Sequence, residues 1–334
     1  SYFVTNWDNY KPINISGTMT GPLNQFHLEN FLVTNPKVNI RTETMKVSNI
    51  LKGNFQIETN SLSTDLTYVD LKEMMPTFIS SKMKNFADDF GRLKYNGAVR
   101  VTPKEVFVPK ANLITGIGQA KITNFYLNDY SSALPKYRGF AEVNDLNTSV
   151  ITKSKEVGLI SGKFNLQGES FDVNTMRLKT RSQISKIEIL NKEINTIYLD
   201  GFLDHKTYKG IVNVNDDQAK ANVNGFIDFR TKKLFADVTA DVQFLNLNYF
   251  TGGKGSQIVS GLVKGKIGMT NLNDLNLDAD LQNVTFTNAS QKYLIPNATV
   301  KAFFENGNRI VSVDAPGAVN GQISGRFNLE DLAG

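Results

Sequence analysis

The feature that most constrains this chain is a five-residue phrase, Gly-x-apolar-x-apolar, which recurs along its length. Side chains alternate between the two faces of a β-strand, so the glycine and both apolar residues of a phrase point to one face. Many strands of this composition predict one long sheet with an apolar face and a polar face. The phrase starts at Gly53, Gly97, Gly118, Gly139, Gly162, Gly210, Gly225, Gly265 and Gly325.

Strand patterns dominate from Tyr95 onward. In 219–229 the odd-numbered residues are apolar or glycine, while the intervening positions carry Lys220, Asn222 and Asn224. Connections are short, which favours antiparallel pairing of neighbouring strands. Asn306-Gly307 between two apolar runs predicts a tight hairpin. The spacing of the phrases varies from about 15 to 60 residues, unlike the fixed period of a propeller or solenoid.

One helical insertion, 64–91, interrupts the strands. Pro76 suits the first turn of a helix, and Gly91 suits the position after its end. The side chains of Ile79, Met83, Phe86 and Phe90 follow the spacing of an amphipathic helix. This helix is expected to cover the apolar face or a sheet edge, or to act as a gate. A shorter helical piece is expected near 68–75.

Glycine, proline and asparagine residues indicate turns in the remainder of the chain. Gly17, Gly21-Pro22 and Asn35-Pro36 are interpreted as turns. Another turn is expected at 231–233, and 251–256 is interpreted as a mobile loop. No linker composition is present, so residues 1–334 are expected to form one elongated domain cut from a longer protein.

Composition excludes several kinds of site. The chain has 37 basic and 32 acidic residues, a formal charge of +5, and the basic residues are scattered, which does not favour nucleic-acid binding. It has no cysteine, so disulfides and thiolate ligands are excluded. No stretch approaches the roughly 18 apolar residues that span a membrane.

No catalytic or metal site is evident in the sequence, and no cofactor is expected. The two histidines, His27 and His205, lie in different regions. The adjacent carboxylates of Asp216-Asp217 and Asp88-Asp89 do not create the facing pair that a glycosidase needs. The chain is therefore predicted not to be an enzyme, although an enzyme acting on polysaccharide is kept as a third hypothesis.

The apolar face is the remaining candidate. It is either the core of a closed sandwich or the lining of an open trough that shelters acyl chains, and glycines on that face favour the trough because they leave room and permit coiling. Strands about 4.8 Å apart would give some twenty of them a length of about 100 Å. The predicted lining comprises Phe164, Leu166, Val212, Val214, Val223, Ile227, Phe229, Leu234, Val238, Val242, Val259, Val263, Ile267, Leu277, Leu281, Ile323 and Phe327.

Three stretches resemble the TamB family, which is related to the AsmA-like envelope proteins. The first runs from Asp200-Gly201-Phe202-Leu203 through 208–216 to 221–229, and is similar to the repeat unit of the family. The second, 240–247, is similar to its continuation. The third is the insertion ending near Gly91, with the strands that follow it. The resemblance covers about 13–250 well and the rest loosely.

The resemblance implies a mostly β fold, a curled antiparallel β-taco whose groove conducts phospholipids toward the outer membrane. It also implies a periplasmic protein anchored in the inner membrane, an Omp85-type (TamA-like) outer-membrane barrel as partner, and a link to outer-membrane protein assembly. The anchor and the barrel-docking segment would lie outside this chain. The alternative is a structural or adhesive β-rich surface module with a closed core.

Overall fold

The computed structural model describes residues 11–74, 89–152, 157–189, 191–251, 257–288 and 291–328. These residues form a 19-stranded antiparallel sheet that is not closed into a barrel, in which each strand pairs with the next along the chain. The prediction of a mostly β, antiparallel sheet is confirmed. The chain divides into two compact units, 1–172 with 185–191 and 173–184 with 192–334. The prediction of a single elongated domain stays a prediction.

Unit 1 contains the first nine strands. They are β1 Asn14–Thr20, β2 Gln25–Thr34, β3 Asn39–Ser48, β4 Gln56–Thr67, β5 Arg92–Val101, β6 Glu105–Thr115, β7 Gly118–Asn128, β8 Lys136–Asn147 and β9 Val157–Glu169.

Strand β10, Arg177–Ile189, contributes residues to both units. Unit 2 contains β11 Lys192–Asp204, β12 Thr207–Asn215, β13 Ala219–Asp228, β14 Leu234–Asn246, β15 Ile258–Met269, β16 Asn276–Thr287, β17 Lys292–Glu305, β18 Asn308–Ala315 and β19 Val319–Gly325.

Three short α-helices occur in the described residues, α1 Tyr68–Met74, α2 Thr148–Thr152 and α3 Leu247–Thr251. Short 3-10 turns lie at Ile50–Lys52 and Leu272–Asp274. Helix α1 begins after Thr67 because Thr67 and Asp70 cap each other: the Asp70 amide donates to Thr67 Oγ1 at 3.0 Å, and the Thr67 amide donates to Asp70 Oδ2 at 2.9 Å. This confirms the expected short helix. Residues 64–67 of the predicted insertion belong to β4 instead.

Several predicted turns are present. Asn306 and Gly307, both with positive φ (51° and 78°), connect β17 to β18 as a two-residue hairpin loop. Asn35 Oδ1 accepts the amides of Lys37 and Val38, each at 2.7 Å, which fixes the turn before β3. The interpretation of Gly17 as a turn is wrong, because this glycine is a bulge inside β1, where the register shifts between Ser16 and Thr18.

The buried core is small. In the described residues one cluster of buried side chains joins Val33, Val38, Leu66 and Met74 in unit 1. Most other apolar side chains of the sheet are only partly buried. The sheet therefore gains much of its order from hydrogen bonds between neighbouring strands and from contacts along each face.

Candidate functional site

The apolar side chains of unit 2 align across strands on one face, which we call the apolar face of unit 2. One row follows the residue pairs Leu199, Val212, Val223, Ala240, Val263, Leu281 and Ala298 from β11 to β17. A second row joins Leu203, Tyr208, Ile227, Ala236, Ile267, Leu277, Ala302, Val311 and Ile323. Alternation within strands and register between strands thus produce a continuous apolar surface across this unit.

A third row, made of glycine, alanine and valine residues, runs between these two rows, and we call it the small-residue row. Its members, paired in order from β11 to β19, are Gly201, Gly210, Gly225, Val238, Gly265, Ala279, Val300, Val313 and Gly321. The sequence shows glycines on this face, but their alignment depends on the strand register, which the sequence alone does not provide. Larger side chains flank the glycines of this row in β11, β12, β13 and β15, whereas in β14 and β17 a valine of the row lies between two alanines.

The sheet bends toward its apolar side at Gly225 of the small-residue row and at Gly97 in unit 1. A Cβ atom added to Gly225 would lie 2.4 Å from the Asp237 carbonyl oxygen and 2.8 Å from the Val238 Cα. In unit 1 an added Cβ at Gly97 would lie 2.5 Å from the Ala111 Cα. The neighbouring strand therefore lies on the side to which a Cβ would point, which makes the apolar side concave at both positions.

Tyr208 fills part of the space that two of these glycines leave. A Cβ atom on Gly201 would lie 2.4 Å from the Tyr208 hydroxyl oxygen, so the ring packs directly over the glycine. Burial raises the pKa of the Tyr208 hydroxyl. Sequence reasoning did not include Tyr208 in the lining, although its alternation with Gly210 and Val212 is the signal that places it there.

Most side chains of the apolar face keep part of their surface accessible to solvent. Val212, Val223, Val263 and Leu281 are half-buried, as are most lining residues. In a closed sandwich such central side chains would be almost fully inaccessible. Solvent therefore reaches this part of the apolar face.

The lining residues predicted from the sequence lie in both units, and most of them are half-buried. Phe164 and Leu166 lie half-buried in β9 of unit 1, where Phe164 pairs with Ala141. Phe229 and Ile323 are more exposed, at 41% and 52%. Phe327 follows the end of β19, so the last Gly-x-apolar-x-apolar phrase does not continue as a strand there. The other lining residues, which are half-buried in unit 2, are Val212, Val214, Val223, Ile227, Leu234, Val238, Val242, Val259, Val263, Ile267, Leu277 and Leu281.

Unit 1 has its own concave apolar row. It joins Leu62, Gly97, Ala111, Ile122, Ala141 and Phe164 from β4 to β9. Burial raises the pKa values of Tyr95 and Tyr137 to about 12, and both side chains project from strands of this unit. The Tyr137 ring stacks on Phe171 with centroids 4.8 Å apart.

The opposite face of unit 2 is polar and carries opposite charges across strands. Asp237 pairs with Lys266, Lys266 with Asp278, and Asp278 with Lys301. The Lys301 Nζ lies 3.7 Å from Asp278 Oδ1. Such pairs favour one register, because a slip by one residue would exchange the polar and apolar faces.

Arg309 is a buried cation that sequence reasoning missed. It is 1% exposed and lies beside Phe304, with the guanidinium carbon 4.2 Å from the ring centroid. Its two Nη atoms donate to the carbonyl oxygens of Leu275 and Asn273. Arg309, which lies in β18, thereby holds the turn that precedes β16 in place. An arginine within a strand pattern gives no sequence signal for such a long-range contact.

The remaining candidates have structural roles or lie outside the described residues. Asp216 accepts the Asn195 amide at 2.8 Å and the Gln218 amide at 2.7 Å, so it caps a turn. His205 contacts Asp204 within the tight turn between β11 and β12. Of the predicted gate helix, Ile79, Met83 and Phe86 lie outside the described residues. Phe90 lies in a short turn and accepts the Gly116 amide at 2.7 Å.

The part of the chain that the structure describes offers neither a metal cluster nor a membrane-spanning helix. Over the described ranges, no group of three or more His, Asp or Glu side chains is placed to hold a metal ion. Within those same ranges, no helix combines the length and the apolar character needed to cross a bilayer.

Comparisons with family models, curated proteins and solved structures gave no match. The resemblance to the TamB family therefore rests on the sequence phrases alone and stays a hypothesis.

Proposed function

We propose that the apolar face of unit 2 is a groove that binds the acyl chains of lipids. The observation that carries this proposal is that its rows of apolar side chains are continuous across strands, and that most of their members remain half-buried, apart from the buried alanines Ala236, Ala298 and Ala302. Unit 1 offers a second concave row of the same composition.

The apolar face of unit 2 is long enough to hold an acyl chain. Nine strands about 4.8 Å apart span about 40 Å, whereas one leaflet of the hydrocarbon core of a bilayer is about 15 Å thick. Burial of a methylene group contributes about 0.8 kcal/mol, so a sheltered chain is favoured over one in water. Because the lining is similar from strand to strand, a chain has nearly the same free energy at each position along it.

This uniformity supports conduction of lipids as well as binding. A surface without a deep minimum lets a chain move along the rows while its headgroup remains in solvent. The TamB-like phrases extend the proposal to phospholipid movement toward an outer membrane, with a membrane anchor, a barrel partner and a role in outer-membrane protein assembly supplied outside this chain. A closed structural module is less compatible with the partial exposure of the lining.

The proposal is tested by placing charges in the groove. We expect the triple variant Val223→Asp, Val238→Asp and Val263→Asp to bind a fluorescent acyl-chain probe at least tenfold more weakly, because carboxylates beside the chain disfavour its burial. Circular dichroism and thermal unfolding establish that the variant is folded.

The matched control carries the same charges on the polar face, as Asn224→Asp, Gln243→Asp and Gln282→Asp. These three positions are exposed, so probe binding should stay within twofold of the native value. A folded groove variant that binds the probe and co-purifies with lipid like the native protein would refute the proposal.

A further inference from the structure

We infer that a depression on the polar face of unit 1 binds an acidic oligosaccharide, that is, a sugar chain that carries carboxylates. This inference does not depend on the proposed groove, because the depression lies on a polar face and in the other unit. It has a volume of about 450 Å³ and is lined by side chains of four consecutive strands, β3 to β6. That volume is in the range of small-molecule sites, about 300 to 1,000 Å³.

The strand register arranges the lining side chains in two rows that run across the strands. The first row joins Arg41, Ser63, Asn96 and Asn112. The second row joins Asn39, Asp65, Lys94 and Ile114. The short side chains of Ser63 and Asn96 lie next to the longer ones of Arg41 and Lys94, and this difference in length produces the depression.

The polar groups of the first row are free to bind a ligand. Within the part of the chain that the structure describes, the side chains of Arg41, Ser63, Asn96 and Asn112 make no hydrogen bond or ion pair. Three of them, those of Arg41, Asn96 and Asn112, are exposed. A serine hydroxyl and an asparagine amide each donate and accept hydrogen bonds. Because sugar hydroxyls also do both, this row is complementary to a sugar chain.

The charges of the depression favour a ligand that carries a carboxylate. Among the lining residues the acidic one is Asp65, which accepts a hydrogen bond from Arg92 Nε at 2.7 Å and lies 3.6 Å from Lys94 Nζ. Glu43 lies two residues from Arg41 along β3, but no ion pair joins the two side chains. The guanidinium of Arg41 is therefore available, and a guanidinium binds a carboxylate through two parallel hydrogen bonds.

The spacing of the side chains in a row matches an extended sugar chain. Neighbouring strands lie about 4.8 Å apart, so the members of a row recur at that interval across the sheet. This interval is close to the length of one unit of an extended β-1,4-linked oligosaccharide, so each strand can face one sugar. Ile114, which is 44% exposed, offers an apolar contact to the C–H groups of a sugar ring at one end.

An acidic peptide matches the depression less well than a sugar chain does. Of the two cations that line it, Lys94 already pairs with Asp65, and only Arg41 lacks an ion pair. A peptide rich in Asp or Glu would need several unpaired cations. A sugar chain presents several hydroxyls for each carboxylate, which fits one guanidinium beside a row of neutral polar groups.

The test uses hexasaccharides of β-1,4-linked mannuronate and of β-1,4-linked glucuronate, with mannohexaose and cellohexaose as the counterparts without carboxylates. We expect the full chain to bind at least one acidic probe at least tenfold more tightly than its neutral counterpart in isothermal titration calorimetry. Arg41→Gln should lower the affinity for the acidic probe to that for the neutral one. Asn96→Ala with Asn112→Ala should weaken binding of the acidic probe at least fivefold and keep the preference for it.

Two matched controls carry the same kinds of change away from the depression. They are Lys104→Gln, in the turn at the opposite end of β5 and β6, and Asn165→Ala with Gln167→Ala in β9, all at exposed positions. Both should bind the probes like the native protein, and circular dichroism establishes that every variant is folded. Equal or no binding of the acidic and neutral probes, or an unchanged preference in Arg41→Gln, would overturn the inference. So would binding of hexaglutamate as tight as that of the acidic sugars, because the depression would then recognise an acidic peptide.

Discussion

At the residue scale, a recurring pair of residues bends the strands. Gly139 (φ 156°) lies opposite Asn124 and Phe125, and Asn124 itself has φ 47°. A Cβ on Gly139 would lie 2.6 Å from the Phe125 Cα. In each pair of this kind, a glycine faces an Asn or Asp that has positive φ. Three further pairs are Gly17 with Asn30, Gly118 with Asp145, and Gly261 with Asn283.

Substitution at one of these pairs tests their role. Gly139→Ala is expected to destabilise β7 and β8 by about 1–3 kcal/mol, since alanine disfavours this backbone conformation and its Cβ meets the neighbouring backbone. Hydrogen exchange of the amides of these strands measures the loss. The control Gly321→Ala, where no atom lies within 4 Å of the added Cβ, should change stability by less than about 0.5 kcal/mol.

At the element scale, side chains on the polar face of unit 1 hold β5 to β8 together. The Phe107 and Tyr126 rings stack with centroids 4.3 Å apart. The guanidinium of Arg100 lies 5.1 Å from the Phe107 ring centroid, and that of Arg138 lies 4.5 Å from the Tyr126 ring centroid. Two cations thus flank two stacked rings, which ties four consecutive strands into one register.

A double-mutant cycle tests this stack. Phe107→Leu and Tyr126→Leu should be coupled by about 0.5–1.5 kcal/mol in the stability of unit 1, because each single change already removes the ring contact. The control cycle uses Phe202 and Phe226, which pair with opposite sides of Lys209. Its coupling should be near zero, and equal coupling in both cycles would argue against a specific role of the stack.

Elements with local chemical signals were predictable and those with long-range causes were not. The Asn306-Gly307 hairpin follows from residues that accept positive φ, and the strand alternation follows from periodicity. The turn at His205-Lys206 has φ values of 48° and 64°, the same tight type, without the usual Asn-Gly signal. Asp237, Lys266 and Asp278 of the polar face lie on separate strands, and only the register brings them together.

At the scale of the whole molecule, the strands that contact each other extensively are those that follow one another along the chain. Opening of one strand therefore affects chiefly the next strands, as in linear repeat proteins. The apolar face was predictable because one pattern repeats in nearly every strand. The division into two compact units was not, since no change of composition marks it.

This arrangement predicts local rather than global destabilisation within unit 2. Gly261→Ala places a Cβ 2.8 Å from the Val284 Cα and should accelerate hydrogen exchange in β15 and β16. The amides of β11 and β12 in the same unit serve as the internal control and should exchange at the native rate. Uniform acceleration across all strands of unit 2 would contradict nearest-neighbour behaviour.

Sequential pairing also has a consequence for biosynthesis. Each newly made strand finds its partner in the segment that left the ribosome just before it, so the growing chain needs no distant partner to complete a ladder. The loops to be closed are short, and their entropic cost is correspondingly low. A protein of this design is suited to acquiring its structure during translation.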